Sequence, residues 1–251
     1  PNDRSRYYWP ISYLIMRNRS NSVCRVYKRG LRWLNAKELG LNWNGLERDV
    51  GASSMLNEER SFSSLEEVTK LLIAAEGKTF RELDETGRGD SAGNKGSLGN
   101  IIEESVLHYP VNSDAEADIL VGDTRYELKV TPLKHSGKGK RTKTVAKERL
   151  VLDIINYENL PKENFEDSRF WNKSKNIIMV YYYDDREDKK TQSRLDCKVL
   201  KSVVLHYDEN DLATIRDDWE TIHEKVASGH ADQLSESDTN YLAACTKGAN
   251  A

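Results

Sequence analysis

Asp118, Glu127 and Lys129 stand in the spacing D-x8-E-x-K inside the stretch Lys95–Leu133. The residues around them alternate as strands do, with Ala117–Val121 and Arg125–Thr131 flanking Gly122-Asp123, a good two-residue hairpin turn. A hairpin centred there pairs Val121 with Thr124, Leu120 with Arg125, Ile119 with Tyr126 and Asp118 with Glu127. Opposed residues share a face, with Cβ atoms about 4.5–5.5 Å apart. Side chains alternate along a strand, so Lys129 joins Glu127 on that face while Leu128 and Val130 point away. Two carboxylates held so close repel unless a cation lies between them. Mg²⁺ suits that place, because it takes oxygen ligands and keeps several waters. A water on such an ion is a far better nucleophile than bulk water. Lys129, a compact positive charge, is placed to polarise that water or to balance charge on a phosphorane. The same spacing also describes a surface hairpin with a cross-strand salt bridge, and spacing alone leaves both readings open.

The flank favours chemistry. Lys95-Gly96-Ser97-Leu98-Gly99 leads into a helix over Asn100–Leu107, whose Leu98, Ile101, Ile102 and Val106 fit one apolar face. Glu103 falls beside that face and can look toward the hairpin, although an ordinary solvated glutamate would occupy the same position.

KGSLGNIIEE, the Ala117-Asp118 before the hairpin, and ELKVTPL together resemble MutH, the strand-nicking endonuclease of methyl-directed mismatch repair. They resemble still more its relatives among the GATC-cutting type II restriction endonucleases. The likeness continues through AKERLVLDIINYE (Ala146–Glu158), FWNKSKNIIMVYYY (Phe170–Tyr183), DWE (Asp218–Glu220) and YLAACTKGANA (Tyr241–Ala251). It implies an α/β fold of the restriction-endonuclease type, a mixed central sheet flanked by helices, with a PD-(D/E)xK site. By that resemblance Asp118, Glu127 and Lys129 are the catalytic set and Glu103 is the helix glutamate that completes it. Asp118, Glu127 and Glu103 are then the metal ligands, for Mg²⁺ with Mn²⁺ able to substitute. Lys173 matches a second lysine near the site, with Lys175 as the neighbouring alternative. Ala117 stands where the motif has proline, a change of backbone shape rather than of chemistry.

Composition sets the outer limits. The 251 residues carry a net charge of only −3, so no overall basicity marks a nucleic-acid binder. A nuclease needs only a local basic groove, and its acidic site offsets the sum. Three scattered cysteines, Cys24, Cys197 and Cys245, fit a reducing compartment and argue against zinc or a disulfide framework. No apolar run approaches the roughly 20 residues a bilayer requires. Together these point to a cytoplasmic protein with no membrane partner.

Residues 1–55 read as an N-terminal extension rich in Arg and aromatics, and residues 56–251 as the MutH-like endonuclease domain. The chain begins at Pro1 and stops within a block that continues in the family, so the domain reads as cut short at its C-terminal end. Within it, Ser64 and Glu67 have capping-box spacing before an apolar stripe of Leu65, Val68, Leu72 and Ala75, which Gly77 ends. Thr79–Leu83 reads as a second short helix or a turn. Lys134–Arg149 holds seven Lys or Arg and one acid and reads as a mobile basic loop beside the site. A helix is expected next, with Leu150, Val151, Ile154 and Ile155 as its core face. Asn176–Tyr183 and Cys197–Tyr207 read as strands. Leu212, Ile215, Trp219, Ile222 and Val226 mark the core face of a helix over 211–227, and Tyr241–Ala244 reads as a short strand.

The expected partner is double-stranded DNA, met by Lys95, Lys138, Lys140, Arg141, Lys143, Lys147, Arg149 and Lys247. Phosphate contacts of this kind hold position and make affinity salt-sensitive. A second similar domain downstream or a dimer partner fits the restriction branch of the family. The alternatives are a repair nickase and an inactive DNA-binding domain on the same fold.

Overall fold

The computed structural model describes residues 12–16, 61–87, 89, 96–109, 117–136, 143–189 and 191–246. The chain divides into two compact units that interleave along the sequence. One comprises Pro1–Gly30, Glu148–Ser174 and Tyr207–Ala251, and the other Leu31–Lys147 with Lys175–His206. The boundary expected near residue 55 lies outside the described residues.

The first unit contains a three-stranded antiparallel sheet in the order β6-β1-β9. Its strands are β1 (Ser12–Met16), β6 (Leu150–Ile154) and β9 (Leu242–Thr246). The segment around Ser12 therefore pairs with two later strands of the chain. The helix expected over Leu150–Ile155 is absent and β6 stands in its place. Leu152 and Ile155 are buried there, while Val151 and Ile154 are 46% and 41% exposed. A long helix, α5 (Glu209–Ala227), completes the unit's core. Asp208 and Asp211 cap it reciprocally. Ile215, Trp219, Ile222 and Val226 are buried as expected, but Leu212 is not and lies 37% exposed. The polar Asp218 turns inward instead. Its carboxylate accepts the backbone amides of Asn240, Tyr241 and Leu242, fixing the entry to β9. A short helix, α4 (Arg169–Ser174), carries Lys173.

The second unit is built on a mixed sheet in the order β2-β3-β4-β7-β8, with β5 paired to the far end of β4. The strands are β2 (Ser61–Phe62), β3 (Ile119–Val121), β4 (Thr124–Ser136), β5 (Lys143–Ala146), β7 (Ile177–Tyr183) and β8 (Val199–Val204). Parallel β4–β7 pairing joins the hairpin strand to the most buried strand of the unit. Helix α1 (Leu65–Ala75) starts at Ser64, whose hydroxyl accepts the Glu67 amide. The return bond from Glu67 goes to Ser63 rather than Ser64. Gly77, at φ 84°, lets the chain leave this helix in the left-handed region. Helix α2 (Phe80–Leu83) follows with a full Thr79–Glu82 capping box. Val68, Leu72, Phe80, Ile178, Val180 and Tyr182 belong to one hydrophobic core. The mixed α/β architecture expected from the sequence is present.

The outer edge of β8 is covered. Val199 exchanges backbone bonds with Gly77 and Lys78, and the Ser202 amide is taken by the Glu76 side chain.

The basic segment is not simply a loop. β5 folds back on β4 with Ser136 opposite Lys143 and Leu133 opposite Ala146, making an arm whose tip, 137–142, lies outside the described residues. Its base is locked by Asp184. That carboxylate meets Lys147 Nζ at 2.8 Å and both Nε (2.8 Å) and Nη2 (3.1 Å) of Arg186, all three side chains being largely buried. Burial pushes the Asp184 pKa up, but the hydrogen bonds from Arg186 and Lys147 outweigh it and hold the carboxyl far below the usual carboxylate range. A group depressed in this way stabilises the fold fully above its ordinary pKa of 3.8, and that contribution fades as pH falls below it. Asp184→Asn is therefore expected to cost about 3 kcal/mol in urea unfolding at pH 7. The gap from wild type should narrow below pH 4; a gap constant down to pH 3 would dismiss the ion cluster as its source.

Candidate active site

The hairpin forms in the expected register, with Val121 opposite Thr124, Leu120 opposite Arg125 and Ile119 opposite Tyr126. Gly122 has φ 56°, and Asp123 is not among the positive-φ residues, the pattern of a tight turn with glycine first. The ladder ends one pair short of the expected Asp118–Glu127 match. The physical reason is a competing acceptor. The Glu127 amide donates to the Asn176 carbonyl on the β7 side (2.9 Å), so by alternation the Leu128 amide faces β3. There the Asp118 carboxylate accepts it at 2.8 Å. Asp118 is thus tied to β4 by its side chain rather than by its backbone.

Glu127 is 3% exposed, and Lys129 Nζ lies 2.5 Å from its Oε1. On the opposite face Leu128 is buried in the core and Val130 packs against it. One side of β4 is therefore greasy anchor and the other is charge, as the alternation requires.

Glu103 arrives from a different element. Helix α3 (Ser97–Ile101) runs into a π-helical turn, Ile102–Val106, in which the Leu107 amide reaches back five residues to Ile102. Such turns put one residue out of the ordinary helical phase. Glu103 is pushed up to a pKa of about 7, first by burial and then by the negative charges of Asp118, Glu127 and Glu104; Lys129 offsets this in part. Asp118, Glu127 and Glu103 thus form one electrostatically coupled group with Lys129.

This donor set suits a hard divalent cation. It offers carboxylate oxygens alone, and Mg²⁺ uses only one or two of them, filling its other positions with water and phosphate. Among the described residues no three His, Cys, Asp or Glu side chains stand ready-arranged to enclose an ion. Asp118 and Glu127 would hold the metal, with Glu103 direct or through water.

The other expected residues are distributed as follows. Lys173 sits on α4 in the first unit, apart from the unit that carries the acidic group. Lys147 has its ammonium committed to Asp184 and to that residue's carbonyl, which fits a structural anchor better than a phosphate contact. Arg149 is half exposed and paired with Glu236. Lys143 lies on β5. Lys95, Lys138, Lys140, Arg141 and Lys247 lie outside the described residues. Asn176 was not anticipated. Its carbonyl accepts the Glu127 amide and its side chain donates to the Arg125 carbonyl, stapling the start of β4. The sequence held no signal for this, since Asn176 is only the polar residue before an apolar run.

A family model described as DNA mismatch repair enzyme MutH matches residues 107–218. Over 180 residues the chain is 39% identical to the type II restriction enzyme Sau3AI of Staphylococcus aureus, covering 70% of this chain and 34% of that enzyme. It is 29% identical over 156 residues to the DNA mismatch repair protein MutH of Shewanella woodyi, covering 62% of each. The chain thus spans about a third of the first relative's length and less than two thirds of the second's.

Like charges held together weaken the ion-free fold, and an ion relieves them. Glu103→Gln is expected to stabilise the ion-free protein by about 1 kcal/mol. Saturating Mn²⁺ should raise the melting temperature of wild type, by the equivalent of about 2.7 kcal/mol at a hundredfold excess over Kd, and raise that of the variant far less. A variant that melts lower and responds equally to Mn²⁺ would remove Glu103 from the site.

Proposed function

We propose that this chain, similar over part of its length to MutH and to a type II restriction enzyme, is a member of the MutH and GATC-type restriction endonuclease family and a Mg²⁺-dependent DNA endonuclease of the restriction type. It cuts at GATC, before the G, and leaves 5′-phosphates. The observation that supports the chemistry is the Lys129–Glu127 ion pair on a strand whose underside is locked into the core, with Glu103 feeling the charges of Asp118, Glu127 and Lys129. Glu127 and Asp118 would hold the cation, with Glu103 direct or through water. When bound, Mg²⁺ lowers the pKa of an attacking water and neutralises charge on the phosphoryl oxygens. Lys129 leaves its ion pair with Glu127 to orient that water or to meet charge on the phosphorane.

The β4–β5 arm holds DNA. It extends directly from the strand that bears Glu127 and Lys129, so cations on it reach phosphates flanking the cut. The target sequence is taken from the relatives, because no residue here has been matched to a base edge. A repair nickase is the second reading, favoured by the likeness to MutH of Shewanella woodyi. The two part on one assay, since a restriction enzyme linearises plasmid while a nickase only relaxes it. A protein of this kind works in the cytoplasm, where the free, buried Cys197 stays reduced.

Plasmid carrying GATC sites is expected to be linearised with Mg²⁺ and left intact with EDTA. Lys129→Ala should bind DNA normally and cut about a thousandfold more slowly; full activity in that variant would remove Lys129 from the chemistry. Replacing Lys138, Lys140, Arg141 and Lys143 with alanine should flatten the slope of log affinity against log salt by about 3. An unchanged slope would take the arm off the DNA.

A further inference from the structure

Glu103 and Asp118 belong to different elements, yet the site needs them at a fixed separation. One residue is bonded to both elements. The Tyr109 amide donates to the carbonyl of Glu103 itself at 2.8 Å, closing the π-helical turn from behind. Its phenol oxygen accepts the backbone amide of Leu120, two residues after Asp118, at 3.2 Å. The side chain is 2% exposed, and its ring stacks on Phe62 of β2, centroids 6.0 Å apart. β2 is itself paired to β3, and the Gly122 amide donates to the Phe62 carbonyl. The backbone makes room for this link at His108, the one non-glycine residue with positive φ (49°) among the described residues. Such backbone persists only where its surroundings enforce it.

We propose that Tyr109 is a positioning residue, a rigid spacer that sets the distance between the turn carrying Glu103 and the strand that directly follows Asp118, and so sets the affinity of the site for its divalent cation. This rests on reading those carboxylates as the metal site of a nuclease. A buried ring is stiff, so the spacer transmits strand position to the turn without slack. The phenol is not within the acidic group, and Tyr109 acts only through Glu103.

Tyr109→Phe keeps the ring and removes the hydroxyl. It is tested with Glu103→Gln, with the double variant, and with Val199→Ala, a core truncation on β8 that destabilises without touching either element. Mn²⁺ binding to the full chain is read by calorimetry, and plasmid cleavage by kcat and KM. Expected for Tyr109→Phe is about tenfold weaker Mn²⁺ binding and about tenfold lower kcat, with KM for DNA within twofold. Val199→Ala should melt lower yet keep both values. In the Glu103→Gln background the Tyr109 change should add nothing, because coupled residues are not additive. Wild-type Mn²⁺ affinity in Tyr109→Phe, equal losses in Val199→Ala, additive losses in the double variant, or failure of Tyr109→Phe to fold would each overturn the proposal. If wild type itself binds no Mn²⁺, the metal-site reading fails and this inference falls with it. If wild type binds Mn²⁺ and Tyr109→Phe binds it equally, only the spacer falls.

Discussion

Negative charge must be concentrated in this protein without tearing apart the strand that carries it. Asp118, Glu127 and Glu103 repel one another, and Glu103 records that repulsion in its raised pKa. The opposing force comes from the far side of the same sheet. Leu128 is buried, Val130 packs beside it, and β7 runs parallel alongside β4 in the same sheet with six of its seven residues buried. Fully burying one such side chain stabilises by about 1.5–3 kcal/mol, enough for a few of them to outweigh repulsion at a partly hydrated surface. Lys129 supplies the remaining balance from within the group. The two faces of β4 are thus mechanically one object, and the charge can be held because the grease cannot move.

The second constraint is hydrogen-bond satisfaction. Where the β3–β4 ladder stops, the Leu128 amide would be left without a strand partner, and Asp118 takes it. On β3, the Leu120 amide meets the Tyr109 phenol. Where β4 begins, Asn176 closes the gap. At Leu128 and Leu120 a backbone amide is met by a side chain, and at Asn176 a side chain meets the Arg125 carbonyl. In this way the requirement that buried amides be paired fixes the orientation of groups near the chemistry.

The hairpin was legible because a glycine-led turn and a period of two determine register locally, and because every apolar residue that would flip outward on a one-residue slip is visible in the sequence. Helix α5 was legible for a similar reason, since Ile215, Trp219, Ile222 and Val226 repeat over several turns. The segment Leu150–Ile155 was misread because four aliphatics at i, i+1, i+4 and i+5 also satisfy a helix. What makes it a strand is pairing to β1, some 135 positions earlier, which no local pattern reports. Leu212 was misplaced because a stripe does not say where along the helix the packing stops. The basic arm reads as a loop in the sequence because Gly137 and Gly139 fall in its middle, while the strand signal lies in the residues on either side. The π-helical turn has no local signal: the Tyr109 amide closes on the Glu103 carbonyl, and the Ser105 hydroxyl within the turn accepts the Glu85 amide from a distant stretch of chain.

The covered edge of β8 carries a further implication. With Val199 already bonded to Gly77 and Lys78, and the Ser202 amide taken by Glu76, those positions of the border are occupied and offer no partner to another chain's extended backbone. Sheet-to-sheet growth, the commonest accident of exposed β borders, is hindered there by three consecutive residues at the exit of helix α1. A second molecule meeting β8 at those positions finds bonded groups rather than a template.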